Sequence, residues 1–189
     1  MPLNFFKRGL RTLGIAESFV KQRSRAVLAG VVMRADLQVD GFGFGRVTLR
    51  GMDATRGVLD VYDALARRDI NLVMLNGCII SLFNLIDLDT VYETTGRPVV
   101  CVTYEDSPGI ERYLREFEDA ESRIEVYRRL GDRQQVKLHT GHRVYVRSRG
   151  LEPHEVKHIL NLFTLQGSVP EPLRVARLLA RALLRWLPE

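Results

Sequence analysis

Residues 70–77 read Ile-Asn-Leu-Val-Met-Leu-Asn-Gly (INLVMLNG) and are apolar almost throughout, a pattern that predicts a strand buried on both faces, as in a parallel sheet. Residues 98–104, PVVCVTY, repeat the pattern after an opening proline. Between the two runs, residues 87–95 favour a helix that ends at Gly96. Because a helix between two buried strands is typical of a β-α-β crossover, we predict that the strand ending at Asn76 is central and parallel to the strand at 98–104.

The segments on either side of this unit complete the outline. Residues 26–34 and 46–50 are short and β-branched, and the glycines of DGFGFG (40–45) suggest a turn between them, which predicts an antiparallel hairpin. The other predicted elements are a helix at about 55–68, helical segments at 108–130, an alternating strand at 142–149, a helix from Pro153 and a long C-terminal helix. The fold class is therefore α/β, with a hairpin followed by β-α-β-α-β, a mixed central sheet and a long last helix.

The composition is that of one globular domain, which we expect to span residues 1–189 and to bury a core without disulfides or metals. The formal net charge is +5 and the pI about 9.5, and the basic excess is arginine, since lysine occurs only at positions 7, 21, 137 and 157. Arginine binds phosphate through a planar fork, so this composition weakly favours a nucleic-acid partner. A heat-adapted surface or a GC-rich genome would give the same composition, and charge alone does not separate these explanations.

The two cysteines, Cys78 and Cys101, lie in apolar stretches, and we interpret them as buried thiols in a reducing compartment, with a disulfide as the less favoured alternative. The first residues, MPLNFFKRGLRTLG, place two phenylalanines before the positive charges and no apolar stretch behind them, which is not the pattern of a signal peptide. No apolar run approaches the roughly 18 residues of a membrane span. We therefore expect a cytoplasmic protein.

Residues 154–158, HEVKH, match the two-histidine pattern of zinc proteases. On a helix His154 and His158 would share a face, and Glu155 could poise a water. A third ligand is required, and the sequence offers no good one. His154 also follows Pro153 in the first turn, where a helix frays. An exposed helical surface is the favoured interpretation, and a zinc hydrolase is the alternative.

The last predicted helix carries a stripe of arginines at spacings of three, four and four: Arg174, Arg177, Arg181 and Arg185. The favoured explanation of such a stripe is a solvated face on a helix docked to the core. The strand at 142–149 adds a second basic surface, on which Arg147 alternates with Tyr145. Arginine beside an aromatic ring suits backbone contact with base stacking, so the two surfaces together strengthen the case for nucleic acid.

Several acids lie near predicted strand ends and turns: Glu17, Asp40, Asp53, Asp87 and Asp89. Carboxylates that converge at strand ends can hold magnesium, which activates water for phosphodiester cleavage. The alternative is that they are caps and turn acids, as most such residues are. Spacing alone does not decide between the two.

Three stretches resemble a known family: LNGCIISLFNLIDLDTVYETTGRPVV (75–100), RGMDAT (50–55) and PEPLRVARLLA (170–180). They are similar to the archaeal endonuclease dU family, which is related to endonuclease V. The resemblance runs from about Leu13 to the C-terminal helix. It implies a ribonuclease-H-like fold and a magnesium-dependent nuclease that acts on DNA with a deaminated base.

The acidic positions of the resembling family are not all kept. Where the family has Gly-Ile-Asp-Asp, this chain has Gly-Ile-Ala-Glu, with Ala16 and Glu17 at the acidic positions. Arg50 and Asn76 stand at two further acidic positions, and Arg177 replaces a histidine. Asparagine brings no charge and arginine repels a cation, so the resemblance implies weak magnesium binding. Glu17 faces the opposite way from Ala16 on a strand.

The leading prediction is a nucleic-acid-processing protein of the nuclease type whose catalysis is impaired or altered. If it is active, Asp53 and Glu17 hold the metal and Asn76 assists. The arginines contact phosphate, of DNA rather than RNA. The main alternative is a non-catalytic nucleic-acid-binding or assembly protein on the same scaffold, and the third is the zinc hydrolase on HEVKH.

Overall fold

A computed structural model describes residues 9–187 of the chain. The strands within this range are β1 (Arg11–Ser18), β2 (Arg25–Arg34), β3 (Val39–Thr48), β4 (Leu72–Asn76), β5 (Ile79–Ile80), β6 (Asn84–Leu85), β7 (Val99–Thr103), β8 (Gln134–Lys137) and β9 (Arg143–Arg149). The helices are α1 (Ala54–Ala64), α2 (Leu88–Thr95), α3 (Glu111–Leu114), α4 (Ala120–Arg129), α5 (Pro153–Phe163) and α6 (Glu171–Trp186).

Seven strands form one mixed sheet in the order β3-β2-β1-β4-β7-β9-β8, and β5 pairs with β6 separately. β1, β4 and β7 are parallel to one another, and the outer strands pair antiparallel. β4 is the central strand, and its residue Val73 pairs with Val99 of β7. The predictions of an α/β fold, of a mixed sheet and of a central strand parallel to residues 98–104 are confirmed.

The two faces of the sheet carry separate cores. On β1 and β4 the odd-numbered side chains pack towards α1 and α2, and the even-numbered ones towards α5 and α6. The first set contains Leu13, Ile15, Val73 and Leu75, and the second contains Ala16, Leu72 and Met74. By this alternation Ala16 and Asn76 belong to the α5–α6 face, whereas Glu17 belongs to the α1–α2 face.

Helix α6 runs along β1 in the direction of that strand. Its first turn lies so close to β1 that a Cβ on Gly14 would be 2.6 Å from the Pro172 Cβ. Near its end, Leu184 lines the same cavity as Arg25 at the start of β2. Because Ser18, the last residue of β1, pairs with Val27, Arg25 lies beyond the end of β1. The C-terminal half of α6 therefore extends past the carboxyl end of β1.

The predicted turn at residues 40–45 is wrong, because β3 runs through these glycines and the reversal occurs at residues 35–38. The glycines serve packing instead. A Cβ on Gly43 would lie 3.0 Å from the carbonyl oxygen of Val61 in α1, and one on Gly45 would lie 2.9 Å from a methyl group of the same valine. Alternate glycines thus let α1 lie directly on the edge strand, a tertiary requirement that local sequence does not express.

Other differences concern short or terminal elements. The helix predicted to begin at about Thr55 and to run to about Arg68 starts at Ala54 and ends at Ala64, whereas the prediction of helical segments within 108–130 is confirmed by α3 and α4. β8, with three of its four residues exposed, was not predicted because it lacks an apolar run. No helix within residues 9–187 is long and apolar enough to cross a membrane.

Candidate nucleic-acid site at the carboxyl ends of the parallel strands

The carboxyl ends of β1, β4 and β7 share one edge of the sheet, because the three strands are parallel. A cavity of about 400 Å³ opens at this edge beside β4, β7 and β9. Its walls combine amide, phenol and guanidinium groups from Asn76, Tyr104, Tyr127, Arg133 and Arg147. Open α/β sheets commonly bind ligands in the crevice outside the carboxyl ends of their strands. This edge is therefore the first candidate for a binding site.

Ala16 and Asn76 are neighbours at this edge. The parallel register pairs Ile15 with Leu75, so the next two residues lie on adjacent strands about 4.8 Å apart and point to the same face. Helix α6 covers this face, since its residue before Arg177 packs on Ala16. The place where two strands and a helix meet thus carries a methyl, an amide and a guanidinium group.

Asn76 accepts a hydrogen bond from the Tyr104 hydroxyl over 2.8 Å. Burial raises the pKa of the Tyr104 phenol, and the nearby positive charge of Arg177 opposes that shift without cancelling it. The phenol therefore stays protonated near neutral pH and acts as a donor. The bond engages the Asn76 oxygen, which is the amide atom able to ligate a cation, and leaves the N–H groups available to an anion.

Glu17 lies on the other face and is held by Ser81. The Ser81 backbone N–H donates to one carboxylate oxygen over 2.8 Å, and its hydroxyl donates to the other. Burial raises the pKa of the Glu17 carboxyl, and the two hydrogen bonds from Ser81 lower it in part. The carboxylate is thus bound to a loop 64 residues away in the chain.

Asp53 precedes α1 and is also bound by its own fold. It accepts hydrogen bonds from the Thr48 backbone at 3.0 and 3.1 Å, from the Thr48 hydroxyl at 2.8 Å and from the Asn84 amide at 2.7 Å. Burial acts to raise the pKa of Asp53, but the hydrogen bonds from Asn84 and Thr48 outweigh it and hold the pKa below its ordinary value.

Both carboxylates hold one strained segment. Ser81, Leu82 and Phe83 have φ angles of 46°, 61° and 74°, so three successive non-glycine residues adopt the left-handed conformation. Such backbone persists only where its surroundings fix it, and it clusters at functional sites. Glu17 binds Ser81, the first residue of this segment. Asp53 accepts a hydrogen bond from Asn84, the residue that follows the segment.

Arg123 fixes the same segment from the other side. Its side chain is 4% exposed and donates to the carbonyl oxygens of Phe83 (2.8 Å), Gly51 (3.1 Å) and Arg50 (2.7 Å). The Arg50 guanidinium lies 4.5 Å over the Phe117 ring, and its backbone N–H donates to the Ser81 carbonyl. Arg50 therefore belongs to the support of the segment and not to the edge that holds Asn76.

Magnesium, which the family resemblance implies, does not fit these residues. Magnesium is held by carboxylate oxygens in near-octahedral geometry. Glu17 and Asn76 lie on opposite faces of the sheet, and Glu17, Asp53 and Asn76 each have different hydrogen-bond partners. Within residues 9–187, no three His, Cys, Asp or Glu side chains come together as a set of metal ligands.

The predicted arginine contacts fall into three kinds. Arg174 is paired with the buried carboxylate of Glu171, which offsets its charge. Arg181 and Arg185 are exposed and form no ion pair within the described part of the chain, residues 9–187. Arg147 lines the cavity, where it donates to the Gly131 carbonyl at 2.7 Å and approaches the Cys78 sulfur at 3.7 Å.

The HEVKH residues form the start of α5. Glu155 accepts from the Glu152 backbone N–H over 2.8 Å in a capping box, so its carboxylate is engaged by the helix itself. His154 is exposed in the first turn, after Pro153. The geometry explains this motif as a helix start.

The sequence profile of the endonuclease dU family matches residues 8–184. The chain belongs to the endonuclease dU family. A UPF0215 protein of Pyrobaculum calidifontis is 36% identical over 177 residues, which cover 93% of this chain and 97% of that protein. A UPF0215 protein of Methanosarcina acetivorans is 31% identical over 189 residues, with 97% and 96% coverage.

Solved structures show what this endonuclease dU family member is similar to in three dimensions. A protein of unknown function from Archaeoglobus fulgidus gives a TM-score of 0.82 at 28% identity, over 93% of this chain and 98% of its own. The TM-score is 0.65 at 12% identity for Ciona intestinalis endonuclease V in complex with a 24mer DNA containing an inosine followed by a ribo-adenosine. The match covers 95% of this chain and 87% of that one. Human endonuclease V gives a TM-score of 0.63 at 16% identity, over 94% of this chain and 85% of its own. The predicted family and the ribonuclease-H-like fold are confirmed.

Sequence analysis missed several residues that shape this region. Tyr104 follows a strand and Arg133 precedes one, and neither lies in a motif, while Arg123 is one of three arginines on α4. Asn84 lies in the FN-x-x-D stretch (Phe83, Asn84, Asp87) that helped to indicate the family. Its role, to bridge Asp53, the Thr48 carbonyl and the Ala54 N–H, emerges only from tertiary contacts.

Proposed function

We propose that this endonuclease dU family member binds nucleic acid at the carboxyl edge of its sheet and that its magnesium-dependent cleavage is weak or absent. The observation that carries the proposal is the placement of Ala16 beside Asn76 under α6, next to Arg177. A metal-dependent nuclease needs anionic ligands to hold its cation and to offset its charge. Here the corresponding place offers a cation of its own, which suits a phosphate.

Binding is supported by the distribution of positive charge around this edge. Arg147 lines the cavity and forms no ion pair within residues 9–187, Arg133 lines it in an ion pair with Asp106 (3.0 Å), and Arg177 lies near Tyr104. Arg181 and Arg185 follow on the part of α6 that extends past β1. Guanidinium groups without an acidic partner attract the phosphate backbone and release its counterions. Arg147, Arg177, Arg181 and Arg185 therefore lie towards this edge, whereas Arg174 lies in the first turn of α6 and is paired with Glu171.

The ligand we favour is DNA with a deaminated base, and RNA is the alternative. The family description supports this choice, and so does the Ciona endonuclease V complex with inosine-containing DNA. The cavity volume of about 400 Å³ is within the range of small-ligand pockets.

Glu17 and Asp53 are the carboxylates available to a metal if cleavage occurs, with Asn76 as an assisting ligand. We propose that their main role is structural. Each accepts a hydrogen bond from the segment at residues 81–84, from Ser81 to Glu17 and from Asn84 to Asp53, and a cation would have to compete with those donors.

The proposal is tested by binding and nicking of one labelled duplex that contains a single deoxyuridine or hypoxanthine. We expect fluorescence anisotropy to show binding at 50 mM salt that weakens steeply towards 200 mM, with no metal present. Nicking in magnesium and then in manganese should stay near background. Robust magnesium-dependent nicking would overturn the catalytic half of the proposal, and absence of binding at low salt to duplex, single strand and RNA would overturn the binding half.

A further inference from the structure

A second arginine-rich and aromatic surface lies on the edge strand β3, on the side of α6. Gly43 and Gly45 face α1, so the alternating residues Phe42, Phe44 and Arg46 face the opposite side. Helix α6 packs on β1 and β2 and does not extend over these rings, which are 51% and 49% exposed. Two half-exposed phenylalanine side chains thus lie on one face of β3, two residues apart in the strand.

The same face continues into a cavity of about 380 Å³ at the end of α6. It is lined by Arg23, Arg25 and Arg46 together with buried apolar residues that include Val27 and Leu184. Arg23 is fixed by a hydrogen bond of 2.9 Å to the Leu184 carbonyl. Arg25 and Arg46 are exposed and form no ion pair within residues 9–187, and the described lining of the cavity includes no Asp or Glu.

From this surface, defined as Arg25, Phe42, Phe44 and Arg46, we infer a binding site for a single-stranded nucleic acid, with bases stacked on the phenyl rings and phosphates on the guanidinium groups. The inference rests on the proposed function and adds a single-strand site to it. Single-strand sites combine a positive groove with aromatic side chains on which bases stack. A base inside a duplex has both faces covered by its neighbours, so exposed rings of this kind select unpaired strands.

Charge favours a polyanion over a second copy of the chain as the occupant. Two copies related by a twofold axis would present the same patch to each other. The guanidinium groups of Arg25 and Arg46 would then face the same groups of the partner with no acid in the surface to offset them. A nucleic-acid strand brings the opposite charge to every arginine of the surface.

The surface is also separate from the cavity beside Asn76, since the two share no lining residue. Both lie at the end of the sheet to which α6 points, with Arg181 and Arg185 on the helix between them. A partly opened duplex can therefore place its paired portion at the first cavity and an unpaired strand at the β3 surface.

The test compares a labelled 20-nucleotide oligothymidine with a 20-base-pair duplex, by anisotropy without metal. Phe42→Ala/Phe44→Ala should weaken single-strand binding about tenfold or more and change duplex binding less than about twofold. Arg25→Gln/Arg46→Gln should lower the salt slope for the single strand by about 1.4, at roughly 0.7 per lost phosphate contact. Leu165→Ala, which truncates a side chain that is 61% exposed elsewhere, is the matched control and should leave both affinities unchanged.

Three outcomes separate the possibilities. Natural protein that binds neither oligonucleotide contradicts the proposed function itself. If the natural protein binds both oligonucleotides and Phe42→Ala/Phe44→Ala leaves both affinities unchanged, the single-strand site is overturned and the proposed function is not. A dimer seen by light scattering that dissociates in the same double variant assigns the surface to self-association and also overturns the inference.

Discussion

Tyr104 donates its hydroxyl hydrogen bond to the side-chain oxygen of Asn76 over 2.8 Å, at the carboxyl end of the central strand. In this arrangement the amide N–H groups of Asn76 have no hydrogen-bond partner among residues 9–187. Beside it on β1 stands Ala16, and near the phenol stands the charge of Arg177. The centre of the sheet edge therefore donates hydrogen bonds and carries positive charge, which is the electrostatic character of an anion site.

Restoring acids at this point should restore a response to metal. Asn76→Asp adds a negative charge with little change of shape at the end of a rigid strand, where the Tyr104 hydroxyl can still donate to it. Ala16→Asp/Asn76→Asp places two carboxylates on adjacent strands about 4.8 Å apart, close enough to share one ion. We expect at least about tenfold more manganese-dependent nicking of deaminated duplex by the double variant than by the natural protein.

The matched control for added charge is Asn71→Asp, at the opposite end of the same strand, where the side-chain oxygen accepts from the Arg11 N–H at 2.9 Å and an aspartate can do the same. It should leave nicking at the natural level. Manganese binding by calorimetry separates a site that fails to hold metal from one that holds it without cleaving. If the double variant is folded but neither binds manganese nor nicks DNA in its presence, the two added carboxylates do not create a metal site at this edge.

The exposed arginines of α6 should set the salt dependence of duplex binding. Arg181→Gln/Arg185→Gln is expected to lower the slope of log affinity against log salt by about 1.8, at roughly 0.9 per lost phosphate contact. Arg56→Gln/Arg68→Gln removes two charges from α1 and the loop after it, and should change the slope little. Anisotropy titrations between 50 and 200 mM salt measure both. Equal slopes for the two double variants would indicate that the α6 arginines are a solvated face.

The centre of the fold could be predicted from sequence because buried parallel strands have continuous apolar sequences, as in residues 70–77 and 98–104. The two edge strands of the sheet, β3 and β8, could not be predicted in the same way. β3 contains an alternation of glycine with phenylalanine or arginine, and two of these glycines, Gly43 and Gly45, are explained by the approach of Val61, which lies on a helix. β8 has a single buried residue, Val136, so its sequence contains no apolar pattern.

The candidate site shows the same limit. The alternation along β1 correctly placed Ala16 and Glu17 on opposite faces. What Glu17 binds could not be predicted, because Ser81 is 64 residues away and its left-handed conformation has no glycine to mark it. The assignment of Glu17, Asp53 and Asn76 as catalytic residues stays a prediction, and their hydrogen bonds give each an alternative role.

Arg123 should be essential for stability, although it lines neither of the two cavities. Arg123→Lys keeps the charge but replaces the guanidinium fork, whose two terminal nitrogens donate to three partly buried carbonyl oxygens, with a single ammonium nitrogen that cannot take both positions. We expect the free energy of unfolding to fall by about 2 kcal/mol or more. Arg128→Lys on the same helix, with a side chain 65% exposed, should change it by less than about 0.5 kcal/mol. Urea unfolding measures the free energy of unfolding of both variants. Similar free energies for the two would mean that the segment at 81–83 does not depend on Arg123.

Glu17 should make the stability of the protein fall as pH rises. Because burial raises the pKa of its carboxyl above the ordinary 4.5, the folded protein binds this proton more tightly than the unfolded chain does. The resulting stabilisation is fully present below pH 4.5 and is lost as pH rises through the higher pKa of the folded state.

Glu17→Gln cannot titrate, and its side-chain oxygen can still accept from the Ser81 N–H. The difference in free energy of unfolding between Glu17→Gln and the natural protein should therefore shift in favour of the variant from pH 4.5 towards pH 7.5, as measured by urea unfolding at each pH. Taking the difference cancels the other groups, which titrate alike in both proteins. Parallel stability curves for the two proteins would show that the Ser81 hydrogen bonds offset the burial of Glu17 completely, and a difference of the opposite sign would show that they outweigh it and that the carboxylate is held in its charged form.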